Sequence, residues 1–227
     1  MSNSSVELGS PPVRILAIEG PIGVGKTTLA RRLAEHYGSD LMLEDPADNP
    51  FLEKFYTDPK RFGLPTQLHF LFQRVRQLQR FQQNDLFMPI YISDYMLEKD
   101  RLFAELTLDK SEFEMYCLVY ERVVETVPDP DLVIYLQARI PSLLNRIALR
   151  GIGYEQDIEG DYLERLARAY VRFFRNFSRS PVLVVDTENV NLVDDDENFA
   201  ILVREIDAGV CGTQYLEIAA QLPQRSA

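Results

Sequence analysis

One run of nine residues near the start of the chain constrains its fold more than any other feature. It reads Gly20, Pro21, Ile22, Gly23, Val24, Gly25, Lys26, Thr27 and Thr28, and it matches the phosphate-loop pattern G-x-x-x-x-G-K-[ST] at every fixed position. Residues 13–18 before it are apolar and predict a buried strand, and the residues after it have helical spacing as far as Gly38. The order of strand, glycine loop and helix therefore predicts a nucleotide-phosphate site.

Phosphate binding explains the residue types in this run. Backbone N–H groups of a glycine loop can close around phosphate oxygens, and the N-terminus of the following helix adds partial positive charge. We expect Lys26 to contact the β- and γ-phosphates and the Thr27 hydroxyl to be a ligand of Mg²⁺. All nine residues of the run are therefore candidates for nucleotide contact.

The composition limits the partners of the chain. Its 227 residues suit one α/β domain. The net charge of −11 argues against nucleic-acid polymers and anionic membranes as main partners. Only two cysteines occur, with no metal-ligand spacing, so we expect a reducing, cytoplasmic setting. Residues 1–12 have the polar, proline-rich composition of a disordered leader, and residues 208–227 have weak patterning and no predicted role.

Five short apolar runs alternate with helical patterns along the chain. They lie at residues 13–18, 41–43, 89–93, 132–136 and 181–185. This alternation predicts an α/β fold, a five-stranded parallel doubly wound sheet with helices on both faces. We expect a single domain over residues 13–207.

Acidic residues follow two of the predicted strands. Glu44 follows the second strand, where an open parallel sheet presents its ligand crevice. A solvated loop acid is the alternative interpretation of Glu44. Asp94 follows the third strand, which is the usual place of a second carboxylate beside Mg²⁺, although turns and caps also use Asp there.

Polar residues also share faces on two predicted helices. Gln67 and Arg74 are two helical turns apart, and Arg146 and Arg150 are one turn apart before Gly151. Two arginines that lead into a glycine-containing loop suit a lid over transferring phosphates. Ordinary surface positions and the helix dipole are the alternative explanations for these residues.

Several classes of phosphate-loop protein are disfavoured. A GTPase should contain N-K-x-D, which is absent, and the only D-x-x-G match, at residues 157–160, follows no strand. A motor ATPase is usually larger or modular. A compact chain with an arginine-containing lid suits a small-molecule kinase.

The sequence resembles the deoxyribonucleoside kinase family over residues 13–206, which implies a P-loop kinase fold. The first part of the family pattern is an acid and proline, a Tyr followed by Asp-Pro, a Gln eleven residues after that Tyr, and an Arg seven residues after the Gln. The second part is an acid that opens a signature, an Asp-Arg with a Phe-Ala pair, and an Arg-x-x-x-Arg-Gly lid followed by Glu. The matching residues are Glu44, Pro46, Tyr56, Asp58, Pro59, Gln67, Arg74, Asp94, Asp100, Arg101, Phe103, Ala104, Arg146, Arg150, Gly151 and Glu155.

The resemblance implies a role for each matched residue. Glu44 would act as general base on the nucleoside 5′-hydroxyl, Asp94 would join Lys26 and Thr27 around the ATP phosphates and Mg²⁺, and Arg146 and Arg150 would stabilise the moving phosphoryl group. The remaining substrate residues would contact the sugar 3′-hydroxyl (Tyr56, Glu155), the base edge (Gln67, Arg74, Asp100) and the base face (Phe103).

The chain also departs from the family pattern. Tyr95 and Met96 stand where the family has Arg and Ser, so Arg101 or a lid arginine is the candidate replacement for that Arg. The start Asp94-Tyr95 resembles the bacterial purine deoxynucleoside kinases, and Arg74 with Asp100 disfavours thymidine. The resemblance thus implies an ATP-dependent kinase of deoxyadenosine or deoxyguanosine, without ranking the two. It also implies a homodimer formed through the long helices, although an apolar stripe on those helices is equally consistent with a core.

Two alternatives stay open from the sequence. A nucleoside monophosphate kinase would need a second basic pocket, for which only Arg74 and Arg76 are candidates. A non-catalytic nucleotide-binding module would tolerate loss of Glu44.

Overall fold

A sheet of six parallel strands forms the centre of the computed structural model, which describes residues 15–83, 90–124, 128–155, 158–188 and 190–216. The strands are β1 Ile15–Glu19, β2 Asp40–Met42, β3 Tyr91–Ser93, β4 Leu132–Gln137, β5 Val182–Asp186 and β6 Thr213–Tyr215. They lie in the order β2-β3-β1-β4-β5-β6, and every neighbouring pair is parallel. The strand order reverses around β1, and ligands of open α/β sheets bind at such a reversal.

The expected count of five strands was wrong, because β6 adds a sixth. Its residue Thr213 pairs with Val182 of β5, within a segment for which the sequence predicted no role. Thr213 and Tyr215 are exposed at the edge of the sheet, so this strand has no apolar run to reveal it. The predicted leader and residues 217–227 lie outside the described residues.

Eight α-helices connect or follow the strands within the described parts of the chain. They are α1 Lys26–Tyr37, α2 Leu52–Thr57, α3 Pro59–Gln83, α4 Lys99–Thr107, α5 Lys110–Val124, α6 Ile140–Arg150, α7 Gly160–Asn176 and α8 Asp196–Ala208. The apolar spacing of residues 64–81 predicts a helix there, but α3 begins five residues earlier, at Pro59. Asp58 caps the first turn by accepting a hydrogen bond from the Arg61 N–H (3.3 Å), and Pro59 suits the first helical position. Asp58-Pro59 therefore begins this helix.

The alternating side chains of the strands bury two faces of the sheet. Leu16 and Ile18 of β1 face one core, which α1, α6 and α8 cover. Ala17 faces the opposite core, which α4 and α7 cover. This arrangement confirms the doubly wound α/β fold with helices on both faces. A third cluster joins α3 and α5 around residues such as Leu71 and Tyr116.

None of the helices in the described ranges has the length and apolarity that a membrane crossing requires. Cys117 and Cys211 are both unpaired. The cytoplasmic setting expected from the sequence stays a prediction.

Candidate active site

The phosphate loop connects β1 to α1 and depends on close backbone packing. A Cβ atom on Gly20 would lie 2.4 Å from the carbonyl oxygen of Leu136, and one on Gly23 would lie 2.9 Å from that of Leu143. The Lys26 ammonium donates hydrogen bonds to the carbonyl oxygens of Gly20 (2.8 Å) and Pro21 (3.2 Å). Burial and the nearby Lys99 ammonium lower the pKa of Lys26 to about 8. The loop thus holds a partly buried cation at its centre.

Replacing Gly20 by Ala is expected to destabilise the protein by about 1–3 kcal/mol, because the added methyl group would overlap a fixed backbone carbonyl. The φ angle of +147° at Gly20 adds strain for any L side chain. Urea unfolding followed by circular dichroism measures this change. Gly153→Ala is the matched control, because a Cβ atom there meets no atom within 4 Å. Equal stabilities of the two variants would contradict the close packing described for Gly20.

Thr27 and Asp94 form the part of the site that fits a metal ion. The Thr27 hydroxyl donates to Oδ2 of Asp94 (2.5 Å), and the backbone N–H of Glu44 donates to Oδ1 (2.8 Å). Across the described residues there is no group of three or more His, Cys, Asp and Glu side chains able to hold a metal. One hydroxyl and one carboxylate beside a phosphate loop suit Mg²⁺, which usually combines one or two carboxylates with phosphate oxygens and water.

Glu44 lies two residues after β2 and its carboxylate contacts two cations. Arg74 of α3 forms an ion pair with Oε1 of Glu44, and the Lys99 ammonium donates to Oε2 (3.0 Å). The Glu44 side chain is 19% exposed, whereas the Arg74 and Lys99 side chains are each 5% exposed. Glu44 is therefore a partly buried, paired acid at the crevice and not a solvated loop acid.

Arg74 also connects Glu44 to the residues expected at the base edge. It forms a second ion pair, with Oδ1 of Asp100, whose side chain is 1% exposed. Oδ2 of Asp100 and Nε of Arg74 are buried without a hydrogen-bond partner. Gln67, two helical turns before Arg74 on the same face of α3, is also buried. Buried polar atoms without partners are costly, so this cluster suits a polar ligand that completes the hydrogen bonds.

The two predicted lid arginines have different surroundings. Arg146 donates to the Val24 carbonyl oxygen (3.3 Å) and to the hydroxyl and carbonyl oxygens of Thr187 (3.0 and 2.9 Å). Arg150 forms an ion pair with Glu155, the residue expected at the sugar. Arg146 therefore connects the phosphate loop to the segment after β5, whereas Arg150 is paired within the lid.

The aromatic residues expected at the sugar and base lie at the edges of the apolar clusters. Tyr56 is partly buried and packs beside Phe55, with ring centroids 5.4 Å apart. Phe103 is partly buried against Tyr170, with ring centroids 6.4 Å apart.

A cavity of about 1220 Å³ joins the phosphate loop, the acid and the lid. Its walls include Lys26, Glu44, Asp94 and Arg150, together with residues 187, 188 and 190–194. This volume exceeds the ~300–1,000 Å³ of a typical small-molecule site.

A model of the deoxynucleoside kinase family matches residues 16–211. The chain belongs to the deoxynucleoside kinase family. Deoxyguanosine kinase of Bacillus subtilis (strain 168) is 37% identical over 202 residues, which cover 84% of this chain and 96% of that protein. Deoxyadenosine/deoxycytidine kinase of the same organism is 31% identical over 206 residues, which cover 86% of this chain and 93% of that protein.

Solved structures give the same result for the fold. Deoxyadenosine kinase from M. mycoides with bound dATP superposes with a TM-score of 0.74 at 26% identity, covering 86% of this chain and 99% of that one. The present protein is thus a kinase with the fold of that enzyme.

The position at which this deoxynucleoside kinase departs from the family pattern lies inside the protein. The Tyr95 hydroxyl donates to Oε1 of Gln77 (2.5 Å), whose amide donates to the Leu43 carbonyl oxygen (3.3 Å). Tyr95 therefore supports the segment that carries Glu44, and its hydroxyl supplies no positive charge to the phosphate site. Arg101, expected as a replacement cation, lies on the exposed side of α4.

The sequence patterns did not predict two buried charged residues at the candidate site. Lys99 contacts Glu44, although nothing in its spacing marks it. Glu19 is fully buried and accepts hydrogen bonds from the Met96 N–H (2.7 Å) and the Tyr170 hydroxyl (2.9 Å). Glu19 had a usable signal, because it is a charged residue that ends an apolar strand directly before the glycine loop.

Proposed function

We propose that this kinase transfers the γ-phosphoryl group of ATP to the 5′-hydroxyl of a purine deoxynucleoside, as a step of nucleotide salvage. The observation that carries the proposal is the buried bridge formed by Arg74, which joins the acid at the phosphate side, Glu44, to the polar cluster at Asp100 and Gln67. Through this bridge, the group proposed to read the base and the proposed general base can contact the same ligand. Relatives named deoxyguanosine kinase and deoxyadenosine kinase support the purine preference.

In the proposed reaction the residues position the substrates and neutralise charge, which are the main sources of catalysis in phosphoryl transfer. Glu44 accepts the proton of the 5′-hydroxyl, while Lys26 contacts the donor phosphates. Arg150 and Arg146 supply positive charge from the lid and from the wall beside the phosphate loop. Mg²⁺, held by Thr27 and Asp94, would neutralise charge on the phosphates.

The remaining substrate contacts follow from the same arrangement. Tyr56 and Glu155 bind the sugar 3′-hydroxyl in this proposal, and Phe103 packs on the base. Gln67, Arg74 and Asp100 bind the base edge. A wrong base would leave these buried groups without partners, which is the physical basis of discrimination.

The alternative of a monophosphate kinase is not favoured by the surroundings of its two candidate arginines. Arg74 is paired with two carboxylates, and Arg76 lies on the exposed side of α3. Neither arginine forms a separate pocket for a substrate phosphate.

The test is ADP release from MgATP with a panel of deoxyadenosine, deoxyguanosine, deoxycytidine, thymidine, the ribonucleosides and the deoxynucleoside monophosphates. We expect turnover with a purine deoxynucleoside and none with its monophosphate, and loss of turnover when EDTA replaces Mg²⁺. Turnover with monophosphates alone would make the protein a monophosphate kinase. ATP binding without any turnover would leave only a nucleotide-binding module.

We also propose that the kinase forms a homodimer through α3 and α5. These helices pack together and expose the apolar side chains of Phe72 (41% exposed), Met115 (50%) and Leu118 (68%). Exposed apolar side chains on neighbouring helices are typical of a surface that a second copy covers.

Replacing Leu118 by Glu is expected to shift the protein from dimer to monomer, because a charge would be buried at the contact. Light scattering after size exclusion measures the mass. Leu149→Glu is the control, because Leu149 is exposed to 78% but lies on α6. A wild-type protein of monomer mass, or a Leu118→Glu variant of dimer mass, would contradict the proposed interface.

A further inference from the structure

The side chain of Lys99 is buried beside Glu44. Lys99 is the first residue of α4, and its side chain is 5% exposed. Its ammonium donates to Oε2 of Glu44 at 3.0 Å. Burying an ammonium group is costly unless a charge or dipole compensates, so this contact fixes where the ammonium can lie.

Charged groups from several elements surround the Lys99 ammonium. Lys26 of the phosphate loop, Asp94 after β3, Arg74 of α3 and Glu19 of β1 all interact with it electrostatically. Burial and the neighbouring Arg74 lower the pKa of Lys99 to about 8. The Tyr95 ring centroid lies 5.8 Å from the Lys99 ammonium nitrogen. Lys99 is therefore a cation held at the point where the phosphate loop and the acid meet.

The two oxygens of Glu44 have different partners. Arg74 contacts Oε1 and Lys99 contacts Oε2. Glu44 itself lies in a segment without helix or strand structure, so its backbone alone does not fix the carboxylate. Two donors on two oxygens determine the plane of a carboxylate, whereas one donor leaves it free to rotate. Loss of Lys99 would thus leave the Glu44 carboxylate with a single side-chain partner among the contacts described here.

We propose that Lys99 is a positioning residue of the phosphoryl-transfer step, which holds the Glu44 carboxylate in the orientation that receives the acceptor proton. The inference rests on the proposed function. In that step the 5′-oxygen forms a bond to the γ-phosphorus, and the bond from that phosphorus to the β–γ bridging oxygen breaks. The electron pair of the broken bond leaves with ADP, and the hydroxyl proton passes to Glu44.

The experiment compares wild type, Lys99→Met, Lys99→Arg and the control Lys110→Met, whose side chain is 91% exposed on α5. Steady-state kinetics give kcat and KM for the preferred nucleoside and for MgATP. We expect Lys99→Met to lower kcat on the order of 100-fold, since a misplaced catalytic group typically costs this much. Both KM values should stay within about threefold, and Lys99→Arg, which keeps a charged donor, should recover kcat to within about tenfold.

Three results would overturn the proposal. The first is a kcat of Lys99→Met within about threefold of wild type. The second is a loss confined to KM. The third is a Lys99→Arg variant that keeps the wild-type melting temperature but recovers no turnover.

A melting-temperature cycle separates this proposal from the proposed function. It uses wild type, Glu44→Gln, Lys99→Met and the double variant. Coupled side chains give a double-variant shift that differs from the sum of the single shifts. If wild type phosphorylates no nucleoside, the proposed function fails. The melting-temperature cycle alone then decides whether Lys99 and Glu44 are coupled. Additive shifts would overturn the assignment of Lys99 to Glu44, and non-additive shifts would support it.

Discussion

Replacing Glu44 by Gln is expected to lower kcat on the order of 1,000-fold, with the dissociation constant of the nucleoside changed by less than about fivefold. The amide keeps the size of the side chain and one carbonyl oxygen, but it cannot accept the proton of the attacking hydroxyl. The substitution also removes the anion that Arg74 and Lys99 share. Burst and steady-state kinetics with the preferred nucleoside measure kcat, and calorimetric titration measures binding.

Two further variants separate loss of the base from loss of charge. Glu44→Asp keeps the negative charge but shortens the side chain, so its kcat should lie between wild type and Glu44→Gln. Glu53→Gln on the exposed side of α2 is the matched control, and its kcat should stay within about twofold of wild type. A Glu44→Gln enzyme with at least about a tenth of the wild-type kcat would exclude Glu44 as the general base.

Local sequence patterns predicted the parts of the site that lie at the ends of strands. Thr27, Glu44 and Asp94 each follow an apolar run, and the parallel sheet brings the ends of those runs together at one edge. The phosphate loop fixes its own conformation through its glycines. This part of the site therefore needed no knowledge of distant contacts.

Contacts between distant elements could not be predicted in the same way. Lys99 reaches Glu44 across 55 residues, and only the packing of α4 beside the strand ends makes the two meet. Arg101, two residues later, has the same charge but points to the exposed side of the helix. A helical period assigns faces, but it does not say which face meets an acid on another element. The edge strand β6 shows a second limit, because an exposed strand has no buried face to produce a pattern.

Replacing Arg74 by Met is expected to have the largest combined effect on stability and specificity. The substitution leaves Asp100 without its ion-pair partner and Glu44 with Lys99 alone. Removing one partner of a buried ion pair costs about 3–5 kcal/mol, so the midpoint of urea unfolding should fall markedly. The ranking of kcat/KM among the four deoxynucleosides should flatten, with a loss on the order of 1,000-fold for the preferred base, because the site can no longer donate from this guanidinium.

A second substitution separates recognition of the base from folding. Arg74→Met combined with Asp100→Asn removes the unpaired charge, so stability should recover in part while base discrimination stays lost. Arg76→Met is the matched control on the same helix, since Arg76 is exposed, and it should leave both quantities close to wild type. Unfolding midpoints and kcat/KM for deoxyadenosine, deoxyguanosine, deoxycytidine and thymidine measure the two effects. If the double variant keeps the wild-type ranking of bases, Arg74 acts only as a structural partner of the two carboxylates, and the base is read by Gln67 or by the shape of the pocket.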